Sequence, residues 1–216
     1  MNRDKTRDQI QELQTLRLVP VVSLASVADG LRLAEVLLEA GLPVMEITYR
    51  TACAAEALDA ISSRFSELLL IAGTVLTPAQ VDSAVAAGAQ AIVSPGFTPQ
   101  LASYCRSREI ALFPGVCTPS EVQMAAEAGL SILKFFPAEQ AGGLKMLMMF
   151  RALYQEIRFM PTGGINPDNL LDYLKLENII CCGGTWLCPE QLMVEDRWDE
   201  IAARLSEARN LIESAA

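Results

Sequence analysis

The chain contains no histidine. That absence removes Ser-His-Asp and Cys-His catalysis, together with every imidazole-held metal site. Proton transfer must then rest on Lys, Glu, Asp, Arg, Tyr, Cys or hydroxyl groups. A magnesium site built only from carboxylates stays open, but the sequence shows no dedicated acidic cluster for one. No apolar run reaches the length that spans a bilayer, and residues 1–15 are charged and polar with no hydrophobic signal region. A soluble protein with no membrane partner is expected. Positive charge is in short supply, with 17 Lys and Arg against 26 Asp and Glu. The net charge of -9 and the lack of a basic cluster argue against nucleic acid as a partner. The six cysteines, at 53, 105, 117, 181, 182 and 188, lack zinc-site or CxxC spacing. Adjacent Cys181 and Cys182 read as small core hydrophobes, which fits a reducing, cytoplasmic setting. No GxGxxG follows the first apolar run, which counts against dinucleotide binding.

What is present is a core. Half of the 216 residues are hydrophobic, enough to bury a sizeable interior. After an amphipathic helix over 5–17, short apolar runs alternate with helical patterns. The expected strands are 19–24, 44–48, 68–74, 91–94, 111–113, 132–138, 158–161 and 178–182. Helices are signalled between them by Ser26, Thr77-Pro78, Thr98-Pro99, Thr118-Pro119-Ser120-Glu121 and Asn166-Pro167. Gly41, Gly88 and Gly129 stop three of these helices. Eight strands that are apolar on both faces predict a parallel sheet, and eight such units predict a (β/α)8 TIM barrel. An open doubly wound sheet is the alternative. No linker is apparent, so residues 1–216 are expected to form one barrel domain, with 1–18 as an N-terminal helical extension.

One apolar run, Ile132-Leu133-Lys134-Phe135-Phe136-Pro137-Ala138, carries an ammonium group in its middle. A buried lysine needs either a partner or a task, because desolvating the charge costs several kcal/mol. Lys134 is therefore half of an ion pair or an amine nucleophile. Glu46 interrupts the second strand in the same way. It follows Gly41 by five residues, and Lys134 follows Gly129 by five. Both strands are even-numbered, and one layer of a barrel interior draws its side chains from alternate strands. The offsets thus predict a carboxylate and an amine facing one lumen, as a structural salt bridge or as catalytic groups.

Active sites of such barrels lie at the C-terminal strand ends. Thr48, Thr74, Ser94 and Pro95 fall there, with Arg50 just beyond the second strand. Arg50 is suited to clamp a carboxylate, or is simply solvated. Phe136 shares the face of Lys134 by strand alternation, as a substrate cover or as ordinary core. Thr74 and Pro95 are candidate pocket walls. The last two strands end in Pro161-Thr162-Gly163-Gly164 and Gly183-Gly184-Thr185. Glycines after strands seven and eight let backbone N–H groups approach phosphate oxygens.

With these residues in hand, the chain resembles the 2-keto-3-deoxy-6-phosphogluconate aldolase family, the class I KDPG/KHG aldolases. The matching stretches are VMEITYRT at 44–51, AGTVLTPAQ at 72–80, SPGFTP at 94–99, PGVCTPSE at 114–121, LKFFPAE at 133–139, PTGGI at 161–165 and GGTWL at 183–187. They occur in family order over nearly the whole chain. The resemblance implies Lys134 as the Schiff-base lysine and Glu46 as general acid/base. It implies Arg50, Thr74 and Pro95 around the pyruvyl carboxylate and Phe136 against the pyruvyl carbons. Thr162, Gly163, Gly164, Gly184 and Thr185 would hold the phosphate and set specificity. It also implies a cytoplasmic homotrimer that uses no metal or cofactor and takes a phosphorylated 2-keto-3-deoxy acid or pyruvate. Thr185 departs from the serine common in the family; the hydroxyl survives, and the extra methyl is expected to narrow that pocket. Thr162 matches phosphogluconate-type members. Aldolases for 4-hydroxy-2-oxoglutarate or the 6-phosphogalactonate epimer, and a non-catalytic sugar-phosphate-binding barrel, are the alternatives.

Overall fold

The structure, a computed structural model, describes residues 3–214, with side chains from residue 9 onward. Residues 1 and 2 of the expected N-terminal extension lie outside the described residues; the extension itself is helix α1 (Arg3–Leu16). Eight strands follow: β1 (Leu18–Val22), β2 (Val44–Thr48), β3 (Leu69–Gly73), β4 (Ala91–Ser94), β5 (Ala111–Val116), β6 (Ile132–Phe135), β7 (Arg158–Pro161) and β8 (Cys182–Gly184). Between them run α2 (Val27–Glu39), α3 (Ala54–Arg64), α4 (Pro78–Ala86), α5 (Pro99–Ser107), α6 (Pro119–Glu127), α7 (Gly143–Leu153) and α8 (Pro167–Leu174). Two helices close the chain, α9 (Glu190–Val194) and α10 (Trp198–Glu213).

In hydrogen-bonding order the strands run β7-β6-β5-β4-β3-β2-β1-β8. Parallel bridges Phe159↔Ile179 and Thr162↔Gly183 join the two ends of that order. Sequential parallel strands, each followed by a helix and with first and last joined, make the (β/α)8 fold that the alternation predicts.

The chain falls into two compact units. One is Val93–Gly184 with the N-terminal segment up to Val19; the other is Pro20–Ile92 with the segment from Thr185 onward. In the first, Phe150 of α7 stacks on Phe159 at 5.5 Å and meets Phe135 edge-on at 5.9 Å. These rings fill the space between helix and strands with apolar area at favourable ring geometry. In the second, α2 and α3 bury Leu33, Leu37, Ala57, Leu58 and Ile61 completely. Gly30 permits their close approach, since a Cβ there would lie 3.1 Å from Ile61 Cδ1 and 3.6 Å from Ala57 Cβ.

The Thr-Pro pairs do what their chemistry dictates. Thr77, Thr98 and Thr118 each accept a backbone N–H in the first turn, and the proline after each occupies a helical position that needs no donor.

The most informative departures from the sequence expectation are at β5, at β8 and after Pro189. β5 continues through Pro114-Gly115-Val116, because Gly115 pairs with Lys134 and the Val116 carbonyl accepts the Phe136 N–H. β8 begins at Cys182 and includes both glycines, whereas Asn178, expected as its first residue, donates its side-chain amide to the Leu147 carbonyl. The acidic stretch after Pro189 forms α9, anchored by buried Leu192 and Met193.

Among the described residues no helix is long and apolar enough to cross a membrane. Cys105, Cys181, Cys182 and Cys188 are buried, and no disulfide joins any of the six cysteines. Burial pushes the Cys105 thiol up to about 11 and the Cys188 thiol up to about 12, so neither is a ready thiolate.

Candidate active site

In the unit containing Val93–Gly184, Lys134 sits on β6 in register with Gly115 of β5 and Met160 of β7. It is only 6% exposed. Its Nζ lies 5.5 Å from the centre of the Phe136 ring, so the two side chains share a face as strand alternation requires. Gly115, the in-register neighbour, points its missing side chain to that same face. A Cβ there would collide with the Pro95 carbonyl and lie 3.0 Å from the Gly96 nitrogen. The turn after β4, with Pro95, therefore reaches in beside the strand that neighbours Lys134. Ser94 holds that turn by donating to the Gly96 carbonyl at 2.8 Å, a structural task that accounts for its burial.

The loop after β7 lies against the loop after β6. Thr162 is buried and donates its N–H to the Phe135 carbonyl at 3.0 Å. The Thr162 carbonyl accepts from Ala138 N–H at 2.8 Å, and the Gly163 carbonyl accepts from Glu139 N–H at 3.1 Å. In a trans peptide the N–H points opposite to the carbonyl. The Gly163 and Gly164 N–H groups thus turn away from the β6 loop. Asn166 and Asn169 both donate to the Gly164 carbonyl, and Asn166 caps α8 by accepting from Asp168 N–H. Outward-facing N–H groups beside a helix N-terminus make a surface for an anion. Gly184 closes β8 and is buried.

The unit containing Pro20–Ile92 carries the acid. Glu46 is 2% exposed on β2, in register with Val21 and Ile71. Its carboxylate is thrown toward the C-terminal strand ends: a Cβ at Gly73 would collide with Oε1 and lie 2.7 Å from Cγ. Gly73 is two residues beyond Ile71 on the same face, so the missing side chain is what admits the carboxylate. Thr74 follows with φ 57, a left-handed conformation that a β-branched residue adopts only under strain. Such strain costs on the order of 1–3 kcal/mol and clusters at functional sites. The Tyr49 N–H, bound to the Gly73 carbonyl at 2.8 Å, helps hold it. Thr48 donates to the Val22 carbonyl at 3.0 Å and bonds Ser23 at 2.8 Å, which ties β1 to β2. Arg50 is exposed just beyond β2, and Thr185 is exposed just beyond β8.

The structure thus groups Lys134, Phe136, Pro95, Thr162, Gly163 and Gly164 in one unit, and Glu46, Arg50 and Thr74 in the other. Gly73 and Gly115 went unmarked as functional in the sequence. Their signal was a glycine inside a strand pattern, which marks a close approach.

A family model described as KDPG and KHG aldolase matches residues 10–204. The chain belongs to the KDPG and KHG aldolase family. A 2-dehydro-3-deoxy-phosphogluconate aldolase of Haemophilus influenzae is 40% identical over 207 residues, which are 96% of this chain and 98% of that protein. The KDPG aldolase of Legionella pneumophila, solved with pyruvate captured at low pH as a covalent carbinolamine intermediate, superposes with a TM-score of 0.88. That match has 38% identity and covers 91% of this chain and 96% of the other. The 2-keto-3-deoxy-6-phosphogluconate aldolase of Zymomonas mobilis, solved with 3-phosphoglycerate, gives a TM-score of 0.85 at 36% identity, covering 94% and 95%.

Proposed function

We propose that this chain is a class I, metal-independent aldolase that cleaves 2-dehydro-3-deoxy-6-phosphogluconate to pyruvate and glyceraldehyde 3-phosphate. The observation that carries this reading is Lys134, 6% exposed on β6 with its Nζ over the Phe136 ring. A carbinolamine, the state in which the Legionella pneumophila relative holds pyruvate, is the first product of an amine and a ketone.

The Lys134 amine adds to the C2 carbonyl, and the carbinolamine loses water to give an iminium. Glu46, directly or through a water, takes the C4 hydroxyl proton. The C3–C4 bond breaks, its electron pair passes to the iminium as an enamine, and the aldehyde leaves. The enamine carbon is protonated, and water hydrolyses the imine to release pyruvate and the amine. Arg50, Thr74 and Pro95 receive the pyruvyl carboxylate, while Phe136 covers the pyruvyl carbons. Thr162, Gly163, Gly164, Gly184 and Thr185 receive the phosphate.

The supporting chemistry is local. A strained Thr74 presents a fixed hydroxyl and backbone, and the Gly163-Gly164 N–H groups suit a dianion. We further propose a homotrimer in the cytoplasm, with residues 1–216 as one domain. The absence of disulfides among the six cysteines fits the compartment, and the outward Met148, Met149 and Leu153 of α7 fit an assembly. Sedimentation at three times the chain mass tests the assembly.

Borohydride reduction in the presence of pyruvate tests the central claim. A pyruvyl adduct mapped to Lys134, absent from Lys134→Ala, is the expected result. Adduct at exposed Lys145 instead, or none, overturns it.

A further inference from the structure

The loop that receives the phosphate is held by a side chain that the reaction does not use. Glu139 ends the LKFFPAE stretch, and its aliphatic part lies directly beneath Gly164. A Cβ on Gly164 would sit 2.5 Å from Glu139 Cγ and 2.7 Å from Cβ, with φ +84 at the glycine. The Glu139 backbone N–H donates to the Gly163 carbonyl at 3.1 Å. Its carboxylate accepts a hydrogen bond from the hydroxyl of Tyr173, a residue of α8 buried to 0% exposure. Asn169, one turn earlier on the same face of α8, donates to the Gly164 carbonyl at 3.0 Å. Gly143, at the start of α7, leaves the room this pair needs: a Cβ there would stand 3.0 Å from the Tyr173 oxygen and 3.1 Å from Glu139 Oε1. All of these residues belong to one compact unit.

We infer that Glu139 and Tyr173 form a positioning clamp that sets the Gly163-Gly164 turn for a phosphate ester, and so sets selectivity for phosphorylated substrates. The inference rests on the aldolase reading and adds to it the residues that make the phosphate subsite rigid. Two physical effects act together. The clamp fixes the backbone N–H groups before the ligand arrives, which lowers the ordering cost of binding. The Tyr173 hydroxyl also occupies and screens a carboxylate that would otherwise stand free beneath a dianion. Burial, then the hydrogen bond and charge of Glu139, push the Tyr173 hydroxyl well above its ordinary value, so it stays a donor through the whole working range.

Tyr173→Phe removes the hydroxyl and keeps the ring that fills the core. It is expected to raise KM for the phosphorylated substrate about tenfold with kcat changed less than about twofold. The kcat/KM for non-phosphorylated 4-hydroxy-2-oxoglutarate and the rate of pyruvate trapping at Lys134 are expected to stay at the wild-type value. Glu139→Gln keeps an acceptor for the tyrosine and removes the charge, so its KM for the phosphorylated substrate is expected at or below wild type. Equal losses on both substrates, an unchanged KM in Tyr173→Phe, or a Gln variant as impaired as the Phe variant would each overturn the clamp. Calorimetric titration with inorganic phosphate reads the same subsite without turnover. If the wild-type protein fails to trap pyruvate, the aldolase reading falls, while weaker phosphate binding by Tyr173→Phe still supports the clamp and unchanged binding rejects it.

Discussion

The strand ends that carry the acid and those that carry the amine solve opposite problems. Around Glu46 the polar group is admitted by subtraction: Gly73 gives up its side chain, and Thr74 takes a left-handed backbone next to it. Around Lys134 the lysine itself is packed in a strand, while the neighbouring loops are tied together by backbone bonds, Ala138 to Thr162 and Glu139 to Gly163. The first region has little freedom to re-form, because a strand side chain is held by its own pleat and by its neighbours. The second adds a surface of peptide groups whose direction depends on which carbonyls are engaged. On the proposed aldolase reading, the groups that meet reacting atoms within a fraction of an ångström sit on strands, and those that recognise a remote phosphate sit in loops.

The sharpest way to break that contrast is at the acid. Glu46→Gln keeps the shape of the side chain, so imine formation with pyruvate should persist while cleavage falls by about 10²- to 10⁴-fold. Single-turnover kinetics beside borohydride trapping separates the two steps. Near-normal cleavage would remove the proton-transfer role of Glu46 and leave it a structural charge. Next comes the space that admits it. Gly73→Ala places a methyl against the carboxylate and should cost about 1–3 kcal/mol in stability from overpacking. Displacing the acid by about 1 Å should lower kcat on the order of 10²-fold. If kcat holds while only stability drops, the carboxylate tolerates displacement and the rigid half of the comparison is wrong.

Thr74 gives a smaller effect of opposite sign on the two properties. Asn tolerates the left-handed region far better than a β-branched residue. Thr74→Asn should therefore stabilise by about 1 kcal/mol, raising Tm by roughly 2–4 °C in a chain of this size. Its KM for pyruvate-derived substrates should rise several-fold, as a strained, fixed wall is exchanged for a relaxed one. A higher Tm with no change in KM would make the strain a by-product of the β3 turn rather than part of the site.

Much of this was legible in the residues. An ammonium inside Ile132–Phe136 and a carboxylate inside Val44–Thr48 conflict with burial so directly that the alternation of apolar runs already marks them. The Thr-Pro and Asn-Pro pairs announce their helices through capping chemistry that acts within four residues. What stayed illegible acts between strands. Gly115 matters because Pro95, twenty positions away, needs its space, and Gly73 matters because Glu46 leans over it. Nothing local distinguishes either from a turn glycine. The same holds for Asn178, whose amide serves the Leu147 carbonyl and shifts the last strand to Cys182. Thr48 and Ser94 show the converse error. Their polarity inside strands resembles a site signal, yet each is spent on a neighbouring backbone or hydroxyl oxygen.

The loop after β5 supplies a control, because its carboxylate serves only the fold. Glu121 accepts from the Cys117 and Thr118 N–H groups at 2.8 Å each and from the Thr118 hydroxyl at 2.9 Å, closing the capping box of α6. Burial pushes its carboxyl up, but these hydrogen bonds outweigh that and hold it below the ordinary value of 4.5. A carboxyl depressed in the folded state contributes stability above its unfolded pKa and loses that contribution as pH falls through the folded value. Glu121→Gln should thus destabilise by about 0.5–1 kcal/mol near neutral pH. The gap to wild type should stay constant down to roughly pH 5 and close progressively below it. Denaturant titration of both proteins at stepped pH measures it, with kcat and KM unchanged at neutral pH. A gap that persists at low pH would assign the effect to side-chain shape, and a fall in kcat would bring this loop into the catalytic half of the comparison.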